Sequence, residues 1–167
     1  MSVNLTNRQG STPLHIYAEL GNLEATKSLI ERGAAINNTN INGGTALMMA
    51  AFYGKYETFR YLTEIGADIN IRNAKHDKST VFHYAAKSGS VDIIKLLLDK
   101  GMSVNLTDTY GRTPLHVSAQ FGHLEKTKAL VERGAAINNT DIFGVTPLLI
   151  AVLLGQSHIL PYLTNRL

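Results

Sequence analysis

The chain has 167 residues, 44% of them hydrophobic and 17% charged, the composition of a folded domain and not of a disordered one. Its net charge of +3 is spread beside acids, as in Lys95–Asp99–Lys100 and Glu132–Arg133, and falls short of the clustered basic face of a nucleic-acid binder. The absence of cysteine excludes thiol catalysis, disulfides and Cys-bound zinc, and no apolar run nears the ~20 residues of a membrane span.

Met1–Thr6 has neither the basic start nor the apolar stretch of a signal peptide, so the expected compartment is the cytoplasm or nucleus, with signal-independent delivery into a host cell left open. These residues read as the tail of a repeat unit. Thr12-Pro13 then opens a first helix, with Thr as N-cap and Pro at N1, where its missing N–H costs nothing. Leu14 and Ala18 lie one turn apart on its apolar face, and Gly21 ends it. A second helix follows, with Leu23, Thr26, Leu29 and Ile30 at helical spacing, until Gly33. An extended finger then leads to a turn at Asn40-Ile41-Asn42-Gly43.

The pattern returns along the chain. Thr12-Pro13-Leu14-His15 recurs as Thr113-Pro114-Leu115-His116, with variants beginning at Thr45, Thr80 and Thr146. The threonines step by 33, 35, 33 and 33 residues, and a glycine stands nine residues after each: Gly21, Gly54, Gly89, Gly122 and Gly155. This period and signature resemble the ankyrin-repeat family over nearly the whole chain. The resemblance implies an all-α solenoid of stacked helix-turn-helix units with extended finger loops. The units are 1–6 (partial), 7–39, 40–72, 73–107, 108–140 and 141–167, the last incomplete. Ten short helices are expected, with small residues at Ala18, Ala50, Ala85, Ala86 and Ala119 letting them approach closely. Stability should come from stacking, since one unit cannot bury its own apolar face.

A longer repeat lies over the short one. Residues 1–39 match 102–140 at 27 of 39 positions, and 40–66 match 141–167 at nine, so a block of three units has been duplicated. The last unit is very apolar, from Leu148 to Leu154, and Pro161 should bend or shorten its outer helix. An excerpt of a longer array, or self-association through this unit, would account for that surface.

Catalytic chemistry finds no support. Phosphate-loop, nucleophile-elbow and zinc-protease motifs are absent, so no catalytic, cofactor or metal residues are assigned, and no small-molecule substrate. The resemblance gives His15, His83 and His116 a structural role, bonding the signature Thr and nearby backbone. His76, His123 and His158 lack a carboxylate or second His at ligand spacing. The N-x-Thr sequons at Asn4, Asn37, Asn105 and Asn138 arise from the repeat phase, without a secretory signal to expose them. Among turn asparagines, Asn70 is the one that best resembles the family's hydroxylation position.

The resemblance implies a protein-interaction module or scaffold that binds a partner protein through a concave groove of finger tips and exposed first-helix sides. An alternative is the targeting arm of a larger enzyme or microbial effector whose catalytic part lies elsewhere; nucleic acid is disfavoured. The corresponding positions are Arg8, Gln9, Ser11, Glu19 and Leu20 in the first full unit and Ile41, Asn42, Gly44, Phe52 and Tyr53 in the second. The third adds Lys75, His76 and Lys78, on a finger two residues longer, with Lys87 and Ser88. The fourth offers Thr109, Tyr110, Arg112, Gln120 and Phe121, and the fifth Ile142, Phe143, Val145, Leu153 and Leu154. Phe52, Tyr110 and Arg112 are the expected recognition anchors. For Leu20, Tyr53, Phe121 and Leu154, packing on the next unit competes with recognition.

Overall fold

The computed structural model describes residues 3–88 and 90–164; Met1, Gly89 and Leu167 lie outside them. Five inner helices, α1 (Pro13–Leu20), α3 (Ala46–Phe52), α5 (Val81–Lys87), α7 (Pro114–Gln120) and α9 (Pro147–Leu153), pack each on the next. Five outer helices, α2 (Leu23–Glu31), α4 (Tyr56–Glu64), α6 (Val91–Asp99), α8 (Leu124–Glu132) and α10 (Leu160–Thr164), form a second row. Among the described residues no strand forms, and the fingers carry isolated bridges at Thr39–Thr45 and Arg72–Thr80. The all-α reading and its ten helices hold.

The starts of the inner helices follow from their threonines. Thr45 and Thr146 accept the N–H of Met48 and Leu149 at 3.2 Å, satisfying donors that the first turn leaves free. Inner helices come close because each presents a small residue to its successor: Ala18, Ala51, Ala86 and Ala119 are 0% exposed. In the fingers, Gly10 has a positive φ, and a Cβ there would stand 2.9 Å from the backbone nitrogen of Ile41 in the next finger. Only glycine fits that approach.

The duplicated block separates sequence from surroundings. In α8, Thr127, Ala129, Leu130 and Val131 are all buried between α6 and the segment that includes α10. In α2, the nearly identical copy, only Thr26 is buried. Leu29, expected in the core, is therefore half-buried, since α2 is flanked on one side only, by α4. At the other end the expected effect of Pro161 is seen. The outer helix begins as a 3-10 turn at Ser157–Ile159 before α10, where α2, α4, α6 and α8 are α-helical from their first residue.

One residue in α8 opposes its setting. Lys126 fills a slot that other units give to Ala25, Thr58, Ile93 and Ile159. It is buried, and its Nζ has no hydrogen-bond partner among the described residues. Burial pushes its pKa down to about 8.

Urea melts of three variants check this packing. Leu130→Ala should lose ~2–5 kcal/mol, whereas Leu29→Ala should lose only about 1 kcal/mol. Lys126→Met should gain about 1–3 kcal/mol by removing an unpaired buried polar group. Equal losses at Leu29 and Leu130, or a destabilised Lys126→Met, would contradict the account.

Candidate binding surface

The fingers are shaped by one short acceptor side chain each. Asn40 Oδ1 accepts the N–H groups of Asn42 and Gly44, both at 3.0 Å; Asp108 does the same for Tyr110 and Arg112, and Asp141 for Phe143 and Val145. Successive fingers then join by single backbone bonds: Ile41 N–H to Gln9 O at 3.1 Å, Thr109 N–H to Asp77 O at 2.7 Å, and Ile142 N–H to Tyr110 O at 2.9 Å. In the long third finger Asn73 Oδ1 accepts the N–H groups of Lys75 and His76 at 2.9 and 3.3 Å, and Asp77 supplies the carbonyl that Gln9 and Tyr110 supply in other fingers.

Histidines tie fingers to helices. The N–H groups of Thr12, Thr80 and Thr113 donate to Nδ1 of His15, His83 and His116 at 3.1–3.2 Å. Nδ1 is therefore the acceptor, and Nε2–H donates to a carbonyl 29 residues on: Gly44, Arg112 or Val145, at 2.9–3.1 Å. The structural role implied by the resemblance is what the geometry shows. His123 and His158, which the sequence left without a role, do a related job. Their Nε2 atoms donate to the carbonyls of Lys87 and Gly122, at or just past the end of the preceding inner helix, at 2.7 and 2.8 Å. Among the described residues no three His, Cys, Asp or Glu side chains gather to hold a metal. Asn4, Asn37 and Asn105 in the sequons accept backbone N–H groups of Ala35, Asp68 and Ala136, 31 residues on.

Most of the positions expected to meet a partner are exposed; the structure corrects the role of several. Arg8, Gln9, Ile41, Asn42, Lys75, His76, Lys78, Lys87 and Thr109 stand in solvent, whereas Glu19 and Gln120 are half-buried and Ser11 and Gly44 are buried. Phe52 is half-buried, its ring edge-on to Tyr53 and Tyr84 at 5.1 and 6.3 Å, so it packs as well as presents itself. Arg112 is not a free anchor either. Its guanidinium bonds Asp108 at 2.7 Å and Asp77 at 3.1 Å and lies 5.1 Å from the Tyr110 ring. Burial would raise Asp77, but hydrogen bonds from Ser79 and the charge of Arg112 hold its carboxyl below its usual range. Leu20, Tyr53, Phe121 and Leu154 are all exposed, so packing on the next unit does not claim them.

Two hollows mark the concave side. One, of about 260 Å3, is lined by His76, Asp77, Ser79, His83, Tyr84, Lys87, Arg112, Val117, Gln120 and Phe121. The other, about 430 Å3 and mostly apolar, lies among Tyr110, Asp141, Phe143, Val145, Ile150, Leu153 and Leu154, and shares Arg112 and Gln120 with the first. Tyr84, Val117 and Ile150 were missed at the sequence level. They share one repeat position, four residues after the signature Thr, and that common phase could have flagged them. Opposite, the outer helices carry solvent-screened ion pairs such as Lys27–Glu24, Arg60–Glu64 and Lys128–Glu125, which add little to stability. Of the exposed large apolar side chains, Tyr110, Phe143, Leu153 and Leu154 line the larger hollow.

A family model described as "Ankyrin repeats (3 copies)" matches residues 1–73 and again residues 73–141. No curated protein matches the chain.

Folding and pH are linked through the histidines. Burial lowers the pKa of His15, His83 and His116 below the ordinary 6.5. The unfolded chain then binds more protons once pH falls below that value. Stability is complete above about pH 7 and is lost as pH drops, by up to about 1.4 kcal/mol per pH unit for each histidine. Urea melts at pH 7.5, 6 and 5 should show this slope, and flat stability across that range would refute the assigned proton positions.

Proposed function

The chain belongs to the ankyrin-repeat family, and from that premise we propose that it holds a partner protein in the groove between its fingers and inner helices. Ankyrin repeats are in general protein–protein interaction modules. The observation that carries the finer reading is the run of exposed apolar residues round one hollow: Tyr110, Phe143, Leu153 and Leu154, with Phe121 and Ile142 beside them. A contiguous apolar surface on one face marks an interaction site more than scattered exposure does. Rigid stacked helices need little ordering on association, so a few anchors supply most of the affinity.

The test is calorimetric, against a partner recovered by affinity capture and mass spectrometry. Tyr110→Ala and Phe143→Ala should each weaken binding by ~1–3 kcal/mol with folding nearly unchanged. Phe52→Ala should lower stability too, because its ring packs on Tyr84. Lys27→Ala and Lys128→Ala on the outer helices should leave affinity intact. Loss in those two with the groove variants unaffected would move the partner to the outer face.

A second contact belongs to the same reading. Leu149 and Val152 of α9 are exposed, whereas their counterparts in α3, Met48 and Ala51, are buried in the stack with α5. That end face should pair two copies of the chain at high concentration. Sedimentation should show a dimer that Val152→Asp disperses, and a strict monomer at high concentration would remove this contact from the proposal.

A further inference from the structure

The concave side changes chemistry along its length. Near α5 the smaller hollow is lined largely by polar groups, and toward α9 the larger one is walled by Phe143, Val145, Leu153 and Leu154. Because Arg112 and Gln120 border both, the two form one path. Arg112 is already paired there with two acids, Asp77 and Asp108, so it offers no free charge.

Lys87 is not neutralised. It is exposed, and among the described residues no acid lies within ion-pair reach. Its ammonium instead stands 5.7 Å from the Phe52 ring and 5.9 Å from the Phe121 ring, at the edge of the polar hollow. Contacts with ring faces at an exposed site are weak and leave the three N–H donors of the ammonium unused by any carboxylate. Lys75 and Lys78 flank His76 and Asp77 in the neighbouring finger, outside the lining of the hollow, and among the described residues have no ion pair. The polar end of the groove therefore presents one ammonium without a carboxylate partner, and the other end carries uncovered apolar surface with Leu153 at 74% and Phe143 at 73% exposure.

On the reading that this groove is the binding surface, we propose that it takes a peptide segment pairing a carboxylate side chain with a bulky aliphatic or aromatic one. The carboxylate sits on Lys87 Nζ, and the apolar side chain lies among Phe143, Leu153 and Leu154. The charge orients the segment and speeds its capture, while the apolar contact holds it. A basic segment would meet the Lys87 ammonium and be disfavoured.

A random-peptide display library selected on the full chain tests this, followed by fluorescence polarisation of the enriched peptides. Enriched peptides should combine Asp or Glu with Leu, Ile, Phe or Met. Their Kd should rise by about tenfold or more on Lys87→Glu and on Leu153→Asp, the size expected of an interface anchor. Lys87→Arg, which keeps the charge, should restore binding. All three changes fall on exposed side chains, and circular dichroism should show each variant folded. Uncharged or basic peptides that ignore Lys87→Glu yet fail with Leu153→Asp would overturn the acidic specificity while leaving the groove in place. Peptides that ignore both changes but fail with Lys27→Ala or Lys128→Ala would overturn the groove itself. If no peptide is enriched, the proposal falls, because a short segment is then not the ligand; the calorimetric test with a captured protein decides the groove independently.

Discussion

Each helix pair in this chain leaves one apolar face to the pair that follows, and that face is usable only because neighbours come very close. Ala18, Ala51, Ala86 and Ala119 set the separation. Hydrogen bonds reaching 29 to 36 residues along the chain, from His15, His83, His116, His123 and His158, then lock each unit's position on the next. Stability in such a stack is a sum of neighbour contacts, so a unit is only as well packed as what flanks it. The half-buried Leu29 and fully buried Leu130, in nearly identical helices, display that rule directly.

The same rigidity creates the candidate surface. Asx turns and finger-to-finger backbone bonds hold the loop tips in register, and the histidines fasten them to the inner helices. Side chains on variable repeat positions are then free to differ. In the first units they are mixed and polar; from α5 onward lysines give way to Tyr110, Phe143, Leu153 and Leu154. A scaffold of equal units thus carries a surface with two chemically distinct ends. The lengthened third finger stands at the junction, where Asp77 takes over both a backbone contact and one side of Arg112.

Much of the fold was legible in the residues themselves. Signature threonines, three of the five followed by proline, announced the inner helices, and nine-residue spacing to glycine announced their ends. The site was less legible. Repeat phase placed Ile41, Tyr110, Ile142 and Phe143 correctly in solvent, because those positions are set by the finger turn alone. It misjudged Phe52 and Arg112, whose environments depend on Tyr84, Asp77 and Asp108 from other parts of the chain. It gave no role to His123 and His158, since their acceptors lie 36 residues away and have no signature in sequence.

What the sequence determined by itself was periodic: helix starts and stops, the all-α class and the small residues at each junction. These are local matters, decided by capping, glycine conformation and helical spacing. What only the tertiary structure decided was which of two near-identical segments is buried, which charges are neutralised and which remain open. Leu29 and Leu130, or Arg112 and Lys87, are alike as residues and differ in neighbours. Burial and charge pairing belong to pairs of segments, and the energy of a buried or paired group is set by what lies across from it.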